Sequence, residues 1–250
     1  MLDLKGLASV FKVRHEEAYS RGAKLQVVEN DSVRMFKLDG ATNSIIRKGS
    51  IYTGGYWDYF VPLAYAYANP RILLIGLGLG TTPFQLHALL GKSVRIDIVE
   101  VDEEVVKLAR KYAPWTAGDR IYVQDGRNFV SDTRKKYDIL MLDAYWKGAR
   151  IPNHFLTEEF MRDAYDALAP DGVLAINYAM HPSGILGFGA FRKLLDRFRC
   201  VWSISTDTYG SMRIIVCSKT LDKKKLLAKI SRRFNGKPSL MKSYRDMREI

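Results

Sequence analysis

From residue 71 onward, short apolar runs alternate with longer stretches in which apolar residues recur every three or four positions. The runs are rich in branched side chains, as is typical of strands buried on both faces of a parallel sheet. The spaced stretches predict amphipathic helices between the strands, among them a helix over residues 103–112. Seven strands are predicted, at residues 72–75, 94–99, 121–123, 137–142, 173–176, 201–205 and 212–217. The order βαβαβαβαβα, followed by a hairpin, predicts an α/β fold with a doubly wound, mostly parallel seven-stranded sheet.

The first 68 residues follow a different pattern. Between residues 24 and 52, short β-prone runs are separated by Asn30-Asp31, Asp39-Gly40 and Lys48-Gly49, which predicts a small N-terminal antiparallel β-layer. Apolar positions up to about residue 20 predict a short helix, and the apolar segment from Tyr59 to Ala68 predicts a connecting helix. The chain is therefore divided into three parts. They are residues 1–68 with the helices and the small sheet, residues 69–218 with the large sheet, and a C-terminal tail at residues 219–250.

Charge is concentrated in this tail. The whole chain has a net charge of +12, and residues 219–250 supply +8 of it through eleven Lys and Arg against three acidic residues. The tail is predicted to be a basic helix, which is either simply solvated or a contact surface for nucleic acid, an acidic membrane or a protein partner. No run approaches the roughly 18 apolar residues of a membrane span, and the two cysteines have no metal-ligand spacing. We therefore expect a cytoplasmic protein without a membrane segment.

Candidate chemistry lies where the predicted strands end, because ligands of open α/β sheets bind outside the carboxyl ends of the strands. The first strand ends in a G-x-G-x-G turn, and acidic residues follow the next three strands. Glu100 lies 20 residues past the turn, where a carboxylate can accept from both ribose hydroxyls, and Asp125 can accept from an adenine amino group. Each acid alone could equally be a helix cap. Together they predict a Rossmann-like nucleoside-binding domain whose site consists of Gly76, Gly78, Gly80, Glu100, Asp125 and Gly126.

These features resemble class I S-adenosylmethionine-dependent enzymes, and among them the spermidine synthase family. The resemblance is carried by Leu38-Asp39-Gly40, Asn69-Pro70-Arg71, Val99-Glu100-Val101-Asp102, Tyr137-Asp138-Ile139 and Leu168-Ala169-Pro170-Asp171-Gly172-Val173-Leu174. Asp143-Ala144-Tyr145 and Ile151-Pro152-Asn153-His154-Phe155-Leu156-Thr157 are most similar to the family's divergent, spermidine-synthase-like branch. The resemblance implies a class I methyltransferase-like fold, S-adenosylmethionine or decarboxylated S-adenosylmethionine as co-substrate, no metal, a small-molecule amine acceptor and a homo-oligomer.

Two positions depart from the family's pattern. The glycine turn of aminopropyltransferases usually carries an aspartate that holds the amine of decarboxylated S-adenosylmethionine, and Leu79 stands there in this chain. The family's second acceptor-binding aspartate is replaced by Trp146. A polyamine is a chain of cations, each of which needs a carboxylate when it leaves water. The departures weaken the case for spermidine synthesis itself.

The acceptor side of the site is predicted from the family and from side-chain chemistry. Asp143 is expected to orient or deprotonate an amine, with His154 as the alternative base. The aromatic residues expected to wall the acceptor pocket are Tyr52, Tyr56, Trp57, Tyr145 and Trp146, although they could equally be packing residues. The leading hypothesis is a spermidine-synthase-like transferase that moves an aminopropyl or related alkyl group. The alternatives are a methyltransferase, with nucleic acid as one substrate class, and a nucleoside-binding homologue without turnover.

Overall fold

The computed structural model describes residues 16–91, 94–113, 118–146, 150–179, 188–206 and 212–250. These residues form a small four-stranded sheet and a larger eight-stranded sheet with helices packed against it. The predicted α/β class, with a mostly parallel sheet and a small antiparallel β-layer, is confirmed. No helix in these residues is long and apolar enough to cross a membrane.

The small sheet is an antiparallel meander. Its strands are β1 (Glu16–Ser20), β2 (Ala23–Glu29), β3 (Val33–Leu38) and β4 (Ala41–Arg47), in that spatial order. β1 and β2 are joined by Arg21 and Gly22, both with positive φ angles, as in the two-residue turns that match the twist of a hairpin. The helix predicted up to about residue 20 is therefore wrong over Glu16–Ser20, because this hairpin makes the segment a strand. Residues 1–15, where the rest of that helix was predicted, lie outside the described residues.

The large sheet has five parallel strands and an antiparallel edge of three. Its strands are β5 (Arg71–Ile75), β6 (Arg95–Glu100), β7 (Arg120–Val123), β8 (Tyr137–Leu142), β9 (Leu168–Ala179), β10 (Cys200–Ser205), β11 (Met212–Ser218) and β12 (Arg248–Glu249). Their spatial order is β12-β10-β11-β9-β8-β5-β6-β7, with β9 to β7 parallel. The prediction of seven strands was one too few, because β12 pairs with β10 at the edge.

Helices cover both faces of this sheet. They are α1 (Val61–Ala64), α2 (Thr81–Leu90), α3 (Glu103–Tyr112), α4 (Gly126–Asp132), α5 (Glu158–Ala167), α6 (Phe188–Leu194), α7 (Lys223–Ser231) and α8 (Pro238–Arg245), with 3-10 turns at Tyr56–Tyr59 and Asn153–Phe155. The central strand β5 shows why both faces are covered. Its residues Ile72 and Leu74 belong to one buried cluster, and Leu73 and Ile75 belong to the other, since successive side chains of a strand point to opposite faces. The predicted connecting helix is reduced to the single turn α1.

The basic tail is packed against the domain rather than simply solvated. Leu226, Ile230 and Tyr244 are fully buried in the same cluster as Ile72. The Tyr244 hydroxyl donates to the carbonyl oxygen of Tyr59 at 2.6 Å. α7 and α8 are therefore amphipathic, with apolar side chains that complete the core and cationic side chains outside.

Candidate functional site

The carboxyl ends of β5, β6, β7 and β8 open onto a cleft of about 540 Å³. Its floor is formed by the ends of these strands, and the small sheet supplies one wall through Phe36, Leu38 and Asn43. Side-chain hydrogen bonds attach the small sheet to the glycine turn: the Leu79 amide donates to Ser44 Oγ at 2.8 Å, and Thr81 Oγ1 donates to the Ile45 carbonyl at 3.1 Å. The N-terminal β-layer is thus part of the cleft.

Two glycines of the turn lie where no side chain fits. A Cβ on Gly76 would lie 2.3 Å from the carbonyl oxygen of Asp143, and a Cβ on Gly78 would lie 2.2 Å from Ser44 Oγ. Both line the cleft, so bare backbone forms its surface here. Gly80 does not line the cleft; it has a φ angle of 73° and is the residue before the first turn of α2.

Glu100 holds the turn from the neighbouring strand end. Its Oε2 accepts from the Leu77 amide at 3.0 Å, and its Oε1 accepts from the Asp102 amide at 3.1 Å. Burial raises the pKa of Glu100, and the hydrogen bonds from the two amides act in the opposite direction. Each carboxylate oxygen has two lone pairs, so Glu100 can still accept hydrogen bonds from a ligand in the cleft.

Asp125 begins α4 and also contacts His154. Its Oδ1 accepts from the amides of Arg127 and Asn128, at 2.8 and 3.2 Å, which makes it the helix cap. Its Oδ2 lies 3.2 Å from Nε2 of the half-exposed His154. Gly126 lets the start of α4 pack closely against β5, because a Cβ there would lie 2.5 Å from Ile75 Cγ2. His154 therefore pairs with Asp125, on the predicted nucleoside side, and not with Asp143.

Asp143 follows β8 and lines the cleft beside the glycine turn. Its amide donates to the Ile75 carbonyl at 2.9 Å, which aligns the two strand ends. The Asn177 side-chain amide donates to Asp143 Oδ1 at 2.9 Å, and the Tyr56 hydroxyl forms a second hydrogen bond. Burial raises the pKa of Asp143 to about 7, against the effect of these two hydrogen bonds. A carboxyl group of this kind can both take up and release a proton near neutral pH.

The predicted aromatic wall is only partly at the cleft. Tyr56, Tyr145 and Trp146 line it, whereas Tyr52 and Trp57 do not. The Tyr52 hydroxyl accepts from the Lys237 amide at 3.4 Å, so this ring packs against the C-terminal tail. Trp57 is buried behind Tyr56, with the ring centroids 4.1 Å apart.

A buried carboxylate holds the loop that carries Tyr56. Asp58 accepts hydrogen bonds from the Thr53 amide, the Thr53 hydroxyl, the Gly54 amide and the Gln85 side chain, at 2.6 to 2.9 Å. Because these partners come from the loop itself and from α2, the position of Tyr56 is fixed by the domain core.

Three residues that bear on the site were missed in the sequence: Asn177, which hydrogen-bonds to Asp143, and two arginines of the cleft. Asn177 is fully buried in β9, and the available signal was an amide directly after the apolar run of residues 173–176. Its Oδ1 has no hydrogen-bond partner among the described residues. Arg21 and Arg150 line the cleft, and no local pattern predicted that, since their positions depend on how the small sheet and the loop after β8 pack. The described residues contain no group of three or more His, Cys, Asp and Glu side chains that could hold a metal ion.

Comparison with known protein families gives a match to the spermine/spermidine synthase domain over residues 60–181. The polyamine aminopropyltransferase of Vibrio vulnificus is 36% identical over 131 residues, which are 49% of this chain and 43% of that protein. The N-terminal histidine N-methyltransferase of Emericella nidulans is 38% identical over 117 residues, which are 45% of this chain and 20% of that protein. The chain thus spans less than half the length of these two relatives.

Among solved structures, a spermidine synthase in complex with the transition state analogue AdoDATO superimposes with a TM-score of 0.69. It is 25% identical in sequence, and the match covers 90% of this chain and 80% of that one. The similarity therefore extends beyond the matched domain to most of the described fold.

Proposed function

Because this chain is spermidine-synthase-like, with a spermine/spermidine synthase domain at residues 60–181, we propose that it is a transferase that moves an alkyl group from a sulfonium donor to a small amine. The donor is S-adenosylmethionine or its decarboxylated form. The observation that carries the proposal is Asp143: a carboxyl group with a pKa of about 7 lines the cleft directly beside the glycine turn. A proton acceptor is thereby placed next to the backbone that would contact the donor.

The nucleoside of the donor is proposed to bind at the ends of β5, β6 and β7. Gly76 and Gly78 let the ligand approach bare backbone, and Glu100 would accept hydrogen bonds from the ribose hydroxyls. Asp125, already fixed as the cap of α4, would accept from the adenine amino group through Oδ2, with Gly126 beside it. The cleft volume of about 540 Å³ is in the usual range for a ligand of this size.

The proposed reaction is an in-line displacement at carbon. The lone pair of the acceptor nitrogen forms a new bond to the carbon attached to the sulfonium. The carbon–sulfur bond breaks, and its electrons leave with sulfur as a neutral thioether. The positively charged amine then gives its proton to the Asp143 carboxylate, which Asn177 and Tyr56 hold in place. The protein contributes alignment and a proton acceptor.

Methyl transfer from S-adenosylmethionine is a second candidate, favoured by the departures at Leu79 and Trp146 and by the similarity to the N-terminal histidine N-methyltransferase. The same cleft and the same base would serve it, since only the carbon that is attacked differs. Nucleic acid as a substrate, assembly into a homo-oligomer and location in the cytoplasm stay predictions.

The proposal is tested by calorimetry with S-adenosylmethionine, its decarboxylated form and methylthioadenosine, followed by single-turnover assays for the thioether product with candidate amines. We expect at least one donor to bind and Asp143→Asn to keep that binding while turnover falls about 100-fold or more. Asp138→Asn is the matched control, because Asp138 lies at the opposite end of β8 and contacts Arg71. Failure of all three nucleosides to bind would refute the proposal, and so would full turnover by Asp143→Asn.

A further inference from the structure

Two guanidinium groups reach the cleft from separate parts of the chain. Arg21 comes from the turn between β1 and β2, and Arg150 comes from the loop after β8. Both are next to Trp146: the Arg21 Cζ lies 6.0 Å from the centroid of the indole ring, and the backbone of Arg150 pairs with that of Trp146 at 2.9 and 3.2 Å. Trp146 thus brings two cationic side chains to one rim of the cleft.

The backbone of Arg21 is in an unfavourable conformation. Its φ angle is 50°, and the following Gly22 has a φ angle of 75°. Two-residue hairpin turns of this kind favour Asn, Asp or Gly at the first position, because a longer side chain raises the free energy of the left-handed region. A residue kept in such a conformation at the edge of a cleft points to a function for its side chain.

The acidic residues of the cleft do not neutralise these cations. Among the described residues, no carboxylate lies within 4.0 Å of the Arg21 or Arg150 guanidinium, so neither forms an ion pair there. The four cleft carboxylates have other partners: Glu100 has two amides, Asp102 has the Ser20 hydroxyl and the Glu104 amide, Asp125 has α4 and His154, and Asp143 has Asn177 and Tyr56. Both arginines therefore keep hydrogen-bond donors for a ligand.

We propose that Arg21 and Arg150 bind a carboxylate of a substrate at the Trp146 rim of the cleft. This inference rests on the proposed function and names the substrate class of the same site. A guanidinium donates two parallel hydrogen bonds to a carboxylate, whereas it repels an ammonium group. At two positions where the spermidine synthase pattern has a cation-binding aspartate, this chain has an uncharged side chain. They are Leu79, which is fully buried, and Trp146 itself.

The carboxylate has two chemical sources. It belongs either to the amino-acid end of intact S-adenosylmethionine or to an acceptor that carries both an amine and a carboxylate. The first source predicts that the protein prefers S-adenosylmethionine to its decarboxylated form. The second predicts that it prefers an amino acid with a side-chain amine to the corresponding diamine.

The donor is tested by calorimetry on the wild type, Arg21→Ala, Arg150→Ala and the double variant. We expect the wild type to bind S-adenosylmethionine about tenfold or more tightly than the decarboxylated form. Each substitution should reduce that ratio several-fold, as for a charge-assisted hydrogen bond made by an exposed arginine. Methylthioadenosine, which has no carboxylate, should bind all variants equally and so reports that the cleft is intact. Lys24→Ala is the matched control. It removes a cation from the same hairpin, but Lys24 forms an ion pair with Glu17 and lies outside the cleft.

The acceptor is tested with methylthioadenosine bound, by titrating ornithine against 1,4-diaminobutane, which differ by one carboxylate. A preference for ornithine that disappears in the double variant would assign the carboxylate to the acceptor. Two outcomes would overturn the inference and leave the proposed function standing. In the first, methylthioadenosine binds but the protein prefers the carboxylate-bearing ligand neither between the two donors nor between the two amines. In the second, such a preference exists but is unchanged in the double variant. If no nucleoside binds, both are refuted.

Discussion

The Asp143→Asn substitution should change how the stability of the ligand-free protein depends on pH. Burial raises the pKa of Asp143 from its ordinary value of 3.8 to about 7. The folded state therefore holds a proton that the unfolded state has already released between these two pH values. The stability linked to that proton is fully present below pH 3.8 and is lost as the pH rises through about 7.

The magnitude follows from the two pKa values. One pKa unit corresponds to about 1.4 kcal/mol, so the carboxyl group costs up to about 4 kcal/mol above pH 7. Between pH 5.5 and 8.5 about 2 kcal/mol of this is lost. Because Asp143 lines an open cleft, water reduces the effect, and we expect about 1–2 kcal/mol.

The assay is urea unfolding of the wild type and Asp143→Asn at pH 5.5 and pH 8.5. Other titrating groups cancel in the difference between the two proteins, and asparagine keeps the shape of the side chain. The free energy of unfolding of the wild type should fall relative to that of the variant as the pH rises. A difference that stays constant within about 0.5 kcal/mol, or that changes in the opposite direction, would mean that Asp143 titrates at an ordinary pKa, and its role as a base at neutral pH would lose its support.

Two further predictions concern the nucleoside site and the tail. Glu100→Gln should weaken methylthioadenosine binding about tenfold or more in calorimetry, because one charged acceptor becomes a donor facing an amide. Glu104→Gln, at a partly exposed position outside the cleft, should not weaken it, and equal binding by both variants would contradict the ribose assignment. Tyr244→Ala should lower the free energy of unfolding by about 3–5 kcal/mol, because a fully buried ring is removed. The control is Tyr19→Ala, at a position that is 74% exposed, which should change the free energy of unfolding by less than about 0.5 kcal/mol. A loss below about 1 kcal/mol for Tyr244→Ala would mean that the tail is only loosely attached.

The parts of the fold that could be predicted are those whose signals are local. α3 was predicted with its exact bounds, Glu103–Tyr112, because the apolar spacing is regular and Asp102 caps the helix through its own side chain. β12 has only two residues, which is too short for any periodic pattern, and it exists because the packed tail returns the chain to β10. The packing of the tail could not be predicted from its composition either. Lysines dominate that composition, but a few buried apolar side chains determine where the tail packs.

The candidate site likewise has a part that could be predicted from the sequence and a part that could not. Strand ends of a parallel sheet meet at one edge, so Gly76, Glu100 and Asp143 could be brought together from their order in the sequence alone. Aromatic composition gave no such guide, since Tyr52 and Trp57 come from the same loop as Tyr56 and yet only Tyr56 reaches the cleft. Which side chain of an irregular loop faces a ligand depends on contacts with distant segments.

The departure at Leu79 has a physical consequence beyond the loss of a carboxylate. Its side chain is fully buried with Val105 and Leu108 of α3 and with apolar residues of the small sheet. An aspartate placed there alone would be a buried carboxylate among apolar side chains, at a cost of several kcal/mol or with its proton retained. Position 79 is therefore part of the contact between the small sheet and the large domain. The same contact includes Ala18 and Ala23, on either side of the turn that carries Arg21, so the leucine at position 79 and the guanidinium at the cleft belong to a single interface.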